Sequence, residues 1–231
     1  MRTSLLTIAA LLSLVPTLGS AHEIKALPDG KVPGAFDIVG AEATTDGRLA
    51  TFALEVSGQA GSVIPEKTGK LPGAKVDPAA IGFAPQSGIL ALAVTAHPDF
   101  DDTPLYDENK DGDPANDGAG WHSHWVVLGE DAACGAGLKV RDVSPGVDAL
   151  PATAPGLPIA LDSPDAAPIL KGATVSVTLP LKGAENVAFD AVAAQLQVNA
   201  QGKTPLLCVT GTYKVVSGNL SLPGIIMLKK E

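Results

Sequence analysis

The residues best suited to chemistry lie in one stretch of the chain, from His97 to Trp125. This stretch contains three of the four histidines, both tryptophans and eight acidic residues. Histidine nitrogens are ligands for transition metals, and carboxylate oxygens are ligands for hard cations such as Ca²⁺. The composition of the stretch therefore predicts metal binding.

Oxygen-bearing side chains occupy mainly alternate positions in the middle of this stretch. They are the side chains of Asp107, Asn109, Asp111, Asp113 and Asp117. Oxygen donors at every second residue can curl around one cation where a glycine permits a sharp turn, as Gly112 would. The spacing resembles the first half of an EF-hand loop and the short calcium repeats of thrombospondin-type and dockerin proteins, although Gly118 stands where an EF-hand has its bidentate glutamate. We expect calcium to order segment 107–117; the alternative is an acidic turn in contact with water.

The run Trp121-His-Ser-His-Trp125 follows the acidic segment. In a strand, His122 and His124 lie on one face, about 7 Å apart, which is close enough for one transition-metal ion to bind both. The run resembles the zinc strand of α-class carbonic anhydrases, in which a His-x-His-Trp run supplies two ligands. That family takes its third histidine from further downstream, whereas no histidine follows His124 here.

A third ligand would have to come from His97, from an acid of the acidic segment or from the mature N-terminus. If strand 88–96 pairs antiparallel with strand 121–128, His97 lies close to His122. The sequence thus predicts a Zn²⁺ or Cu²⁺ site made of His97, His122 and His124, or of two histidines and a carboxylate. The alternative is that the histidines only form hydrogen bonds with the acidic segment.

The first 21 residues have the pattern of a cleavable signal peptide. Arg2 is followed by an apolar run and then by the small residues Gly19-Ser-Ala21, which predicts export to the periplasm or out of the cell. Cleavage there would make His22 the first residue. Its α-amino group and imidazole could then hold copper, as in the periplasmic copper-resistance proteins and copper polysaccharide monooxygenases that this arrangement resembles. No later stretch has the roughly 20 apolar residues of a membrane span.

Residues 22–231 are expected to form one all-β domain. The chain has 25 glycines and 19 prolines, and short runs rich in Val, Thr and Leu lie between them, which favours an antiparallel β-sandwich of about seven to nine strands with long Gly/Pro-rich loops. The strands are predicted at 49–56, 89–94, 121–128, 174–179, 194–199, 206–210 and 212–216. Run 89–94 is apolar on both faces, which is typical of a central strand covered on both sides or of a strand buried between a sheet and loops. Long irregular stretches are expected at 57–87 and 144–172, and short helices at 77–81 and 184–194.

The two cysteines, Cys134 and Cys208, are expected to form a disulfide, since an exported chain folds in an oxidising compartment. The formal charge of −9 becomes about −10 without Arg2. This charge favours metal cations as partners and argues against nucleic acid; no protein or carbohydrate partner is indicated.

Three functions fit these patterns. The first is an exported, non-enzymatic protein that binds calcium at 107–117 and zinc or copper at the histidines. The second is a metal-dependent enzyme, in which the histidine-bound metal keeps an open position for water and Asp99 or Asp102 serves as base. The third is a carbohydrate- or protein-binding module that calcium stabilises.

Overall fold

The computed structural model of the protein describes residues 23–63, 70–77, 89–96, 112, 121–141, 161–162, 166–198 and 207–229. Within these ranges the chain forms fourteen β-strands and no helix. In chain order they are β1 (Glu23–Lys25), β2 (Ile38–Thr45), β3 (Leu49–Val56), β4 (Lys70–Asp77), β5 (Ile89–Thr95), β6 (His122–Glu130), β7 (Leu138–Val140), β8 (Leu161–Asp162), β9 (Ile169–Lys171), β10 (Thr174–Pro180), β11 (Ala188–Val198), β12 (Leu207–Val215), β13 (Gly224–Ile225) and β14 (Met227–Leu228). The predicted all-β, sandwich-like class is confirmed.

The first sheet has the strand order β1-β2-β3-β10-β9, and β14 pairs in parallel with β2. Its central strands alternate as their sequences predict. Phe52 and Leu54 of β3 are buried and lie opposite Val177 and Val175 of β10. The β2–β3 hairpin turns at Gly47, whose φ of 87° is one that glycine adopts without strain.

The second sheet closes on itself. Strand β12 pairs with both β7 and β11, so that the order β4-β5-β6-β7-β12-β11 returns to β4 through antiparallel pairings. Strands β8 and β13 pair with β6 and β11 as additions to this ring of six strands. The ring therefore has an inner face and an outer face.

Two apolar cores follow from the two faces of the ring. Side chains of the outer face, such as Leu92 and Trp125, pack against the first sheet in one cluster with Phe52. Side chains of the inner face, such as Ala91, Val126 and other small aliphatic residues, form a separate cluster. Strand β5 contributes to both, which confirms the prediction that it is covered on both sides.

A buried ion pair joins the start of the first sheet to the ring. Lys214 Nζ of β12 lies 2.8 Å from Asp37 Oδ1 and also donates a hydrogen bond of 2.7 Å to the Leu27 carbonyl. Asp37 Oδ2 accepts a hydrogen bond from the Asp29 amide. Burial on its own would raise the pKa of Asp37, but the hydrogen bonds from Lys214, Ser57 and Asp29 outweigh it and hold the pKa below the usual 3.8.

The predicted disulfide is confirmed. Cys134, in the turn between β6 and β7, bonds to Cys208 of β12 with an S–S distance of 2.01 Å. Both cysteines are buried. The disulfide therefore links the β6–β7 turn to the strand that closes the ring.

Several local predictions are corrected. The long irregular stretch expected at 57–87 contains β4, and the helix expected at 184–194 overlaps β11. The two strands expected at 206–210 and 212–216 are the single strand β12, which pairs with β11 through two register shifts. Residues 1–22, with the predicted signal peptide and His22, lie outside the described residues. In the described part of the chain no helix is long and apolar enough to cross a membrane.

Candidate functional site

The run 121–125 forms the start of β6, and its side chains divide between the two faces of the ring as a strand requires. Trp125 is fully buried in the core between the sheets. Ser123 Oγ donates a hydrogen bond of 2.7 Å to the carbonyl oxygen of Ala166. His122 and His124 alternate with these residues and share the face of Val126, which belongs to the inner cluster of the ring. The two histidines therefore lie on the inner face, at the end of β6 that adjoins segment 97–120.

The two imidazoles are buried and close together. His122 is 5% exposed and His124 is 3% exposed, and their ring centroids are 4.5 Å apart with the planes at 82°. Two imidazoles bound to one tetrahedral metal, with metal–nitrogen distances of about 2.0–2.1 Å, have centroids roughly 5 Å apart. The separation of the rings is thus close to the separation that a shared metal ion requires.

Strand β5 supplies the neighbours on one side of the pair. The two strands are antiparallel, with Thr95 opposite His122 and Ala93 opposite His124. Thr95 is 3% exposed, and its hydroxyl has no hydrogen-bond partner among the described residues. A buried hydroxyl of this kind is a hydrogen-bonding group available to a bound water or ligand.

Strand β8 pairs with β6 on the side away from β5, and it carries an acidic residue. Asp162 is the cross-strand partner of His124. Sequence reasoning missed this residue, because it lies in the stretch 144–172 that was expected to be irregular. No periodic pattern surrounds it, and only the pairing of a two-residue strand with β6 reveals its place.

The other predicted ligands lie outside the described residues. They are His97, Asp107, Asn109, Asp111, Asp113 and Asp117. Within the acidic segment the structure describes Gly112, whose φ of 93° is one that favours glycine.

No complete metal site is seen among the residues that the structure describes. In this part of the chain, no group of three or more His, Cys, Asp or Glu side chains has the geometry of a metal site. The chain also matches no protein-family model, no curated protein and no solved structure in the comparisons. A functional proposal therefore rests on the residues and their geometry.

Proposed function

We propose that the protein is exported and binds Zn²⁺ or Cu²⁺ at one end of its strand ring, through His122 and His124. The observation that carries this proposal is the burial of two adjacent imidazoles, 4.5 Å apart, on the inner face of the ring. Imidazole nitrogens are ligands for both ions, and the separation of the two rings is close to that of two imidazoles that share one ion.

We expect the third ligand to be one of two residues. His97 follows Ala96, and it stands two residues after Thr95, the cross-strand partner of His122. Asp162 is in register with His124 on the other side. Either residue would complete a set of three protein ligands, as three histidines or as two histidines and one carboxylate.

Calcium binding at 107–117 is the second part of the proposal. The supporting observation is the φ of 93° at Gly112, because a calcium loop needs a glycine at its sharp turn. Segment 97–120 joins the end of β5 to the start of β6. Calcium would therefore order the segment that carries His97, and so support the transition-metal site as well.

Export is supported by the pattern of residues 1–21 and by the disulfide between Cys134 and Cys208. Disulfides persist in the periplasm and outside the cell. A metal-dependent enzyme is the second candidate function. It is favoured by the Thr95 hydroxyl beside His122, since such a group could orient a metal-bound water.

The test is titration of the metal-free protein with Zn²⁺ and with Cu²⁺, followed by calorimetry. We expect one ion per chain, with an affinity that falls as the solution becomes more acidic, because protons compete for the imidazole nitrogens. His124→Ala should weaken binding by about 100-fold or more, a larger loss than is typical of residues around a metal site. Ser123→Ala is the matched control, because Ser123 lies on the same strand and faces away from the ring interior.

The same titration identifies the third ligand and distinguishes a binding protein from an enzyme. His97→Ala and Asp162→Asn are compared, and the variant with the larger loss of affinity identifies the third ligand. If His124→Ala and Ser123→Ala bind metal equally well, the proposed site is wrong. An exchangeable water on the bound metal, detected by its displacement with azide, would favour the enzyme over the binding protein.

A further inference from the structure

The end of the ring opposite His122 and His124 contains an apolar cavity. Its volume is about 60 Å³, and its walls include Ala91, Leu128, Val192, Ala194, Val209 and Leu220. Of the described residues that line it, Thr212 alone is polar. Ala91 and Ala194 carry the smallest side chains of this wall, and they leave space that larger aliphatic residues would fill.

One wall residue, Leu220, has an unfavourable backbone conformation. Its φ is 56°, a value that leucine rarely adopts, and its side chain is 37% exposed at the edge of the cavity. Such conformations cost free energy, and they often mark sites of function. Leu222 has a similar φ of 55° but does not line the cavity.

The loop that carries Leu220 is fastened to the ring by hydrogen bonds. Ser217 Oγ donates to Asp190 Oδ2, and the Ser217 amide donates to Asp190 Oδ1. Ser217 Oγ in turn accepts hydrogen bonds from the amides of Asn219 and Ser221. Because Asp190 is fully buried, this network fixes Leu220 over the cavity.

We propose that this cavity binds the end of a short, unbranched alkyl chain, with Leu220 as the residue that covers it. An apolar cavity of about 150 Å³ holds one benzene molecule, which corresponds to about 25 Å³ for each carbon. The cavity therefore accommodates roughly two to three methyl or methylene groups. The apolar walls favour hydrocarbon over water, and the small volume favours the end of an unbranched chain. The site is separate from the proposed metal site and does not depend on it.

A series of linear alcohols from methanol to octanol tests the proposal. The dissociation constant of each is measured with the full-length mature protein by ligand-detected NMR. We expect affinity to rise about fourfold for each added carbon and to level off at about three carbons, where the cavity is full. The plateau shows how much of the chain the cavity takes, and it is expected both for a short free ligand and for the end of a lipid tail.

Two glycine substitutions form a matched pair. Leu220→Gly and Leu222→Gly relieve the same backbone strain, but only Leu220 lines the cavity. We expect Leu220→Gly to weaken pentanol binding at least tenfold and Leu222→Gly to leave it unchanged. Ala194→Leu should fill the cavity and abolish binding while the melting temperature shows that the protein is folded. The proposal would be overturned by an affinity that does not change with chain length, or by equal effects of the two glycine variants.

Discussion

The ion pair between Asp37 and Lys214 gives the sharpest test of how the two sheets are held together. The side chain of Asp37 is 2% exposed and that of Lys214 is 12% exposed. Replacement of Asp37 by asparagine keeps the size of the side chain but removes its charge. Asparagine has one oxygen where the carboxylate has two, so it can accept a hydrogen bond from Lys214 or from the Asp29 amide, and the other bond is lost. Lys214 keeps its bond to the Leu27 carbonyl but is left in a buried position without the opposite charge of Asp37.

The expected cost follows from this burial. Removal of one partner of a buried ion pair typically costs about 3–5 kcal/mol, and the retained bond to Leu27 places Asp37→Asn near the lower value. About 3 kcal/mol corresponds to a decrease in melting temperature of roughly 6–12 °C for a chain of this size. Glu23→Gln is the control, because Glu23 pairs with Lys25 at the surface, where the side chains are 43% and 74% exposed. That change should cost less than about 1 kcal/mol.

The assay is urea unfolding of the wild type, Asp37→Asn, Lys214→Met and the double variant. Because the two side chains are in contact, the loss in the double variant should be smaller than the sum of the single losses by about 1–3 kcal/mol. Additive losses would refute the reasoning.

The dependence of stability on acidic pH is the second measurement on this ion pair. Since the pKa of Asp37 is held below 3.8, its stabilising effect is complete above the pKa of the unfolded chain, near 3.9, and is lost as the pH falls below that value. The difference between wild type and Asp37→Asn should therefore be constant from pH 7 to about pH 5 and should shrink below pH 4. A difference that stays constant at lower pH would show that the charge of Asp37 is not its source.

Three further changes have defined outcomes. Replacement of both cysteines by alanine should lower the free energy of unfolding by about 4–5 kcal/mol in urea titrations, because the disulfide closes a loop with a sequence separation of 74 residues. Millimolar Ca²⁺ should raise the melting temperature and protect segment 99–118 from proteolysis, and Asp111→Ala should abolish both effects. Gly224→Ala should cost about 1–3 kcal/mol, since a Cβ there would lie 2.6 Å from two ring atoms of the buried Phe189. Gly30→Ala should be nearly neutral, because no atom lies within 4 Å of a Cβ at that position.

Regular alternation made part of the fold predictable. Strands β3 and β10 alternate between buried and exposed residues, and this period of two is visible in the sequence. Strand β4 was missed because Pro72 and Gly73 are rare in strand interiors. It forms between two partners, β5 and β11, that are distant in sequence. Strand β11 was predicted partly as a helix because it is rich in alanine, a strong helix former.

The ring explains why alanine appears in β11 and β5. Ala91, Ala93 and Ala194 are buried within its inner cluster, where larger side chains would crowd a sheet of six strands closed on itself. The need for small residues there comes from the closure of the sheet. That closure depends on β12 pairing with both β7 and β11, which no local pattern indicates.

In the candidate site, too, the alternation within one strand was predictable and the consequences of sheet closure were not. The period of two places His122 and His124 on one face, and the prediction of a strand at 121–128 agrees with β6. Their burial inside a ring could not be predicted, because it also depends on closure. The register of Asp162 with His124 was out of reach for the same reason.

The two proposed sites lie on the same inner face, and their separation predicts that they bind their ligands independently. His124 and Leu128 are four residues apart on β6, a distance of about 13 Å, and the inward-facing Val126 lies between them. Perturbations more than about 10 Å apart, without shared contacts, usually add. The dissociation constant of pentanol should therefore agree within about twofold between the metal-free and the zinc-loaded protein, and the two ligands should raise the free energy of unfolding additively. A change of fivefold or more would instead show a coupling of about 1 kcal/mol. Such coupling would mean that the closed ring shifts as one unit when either end is occupied.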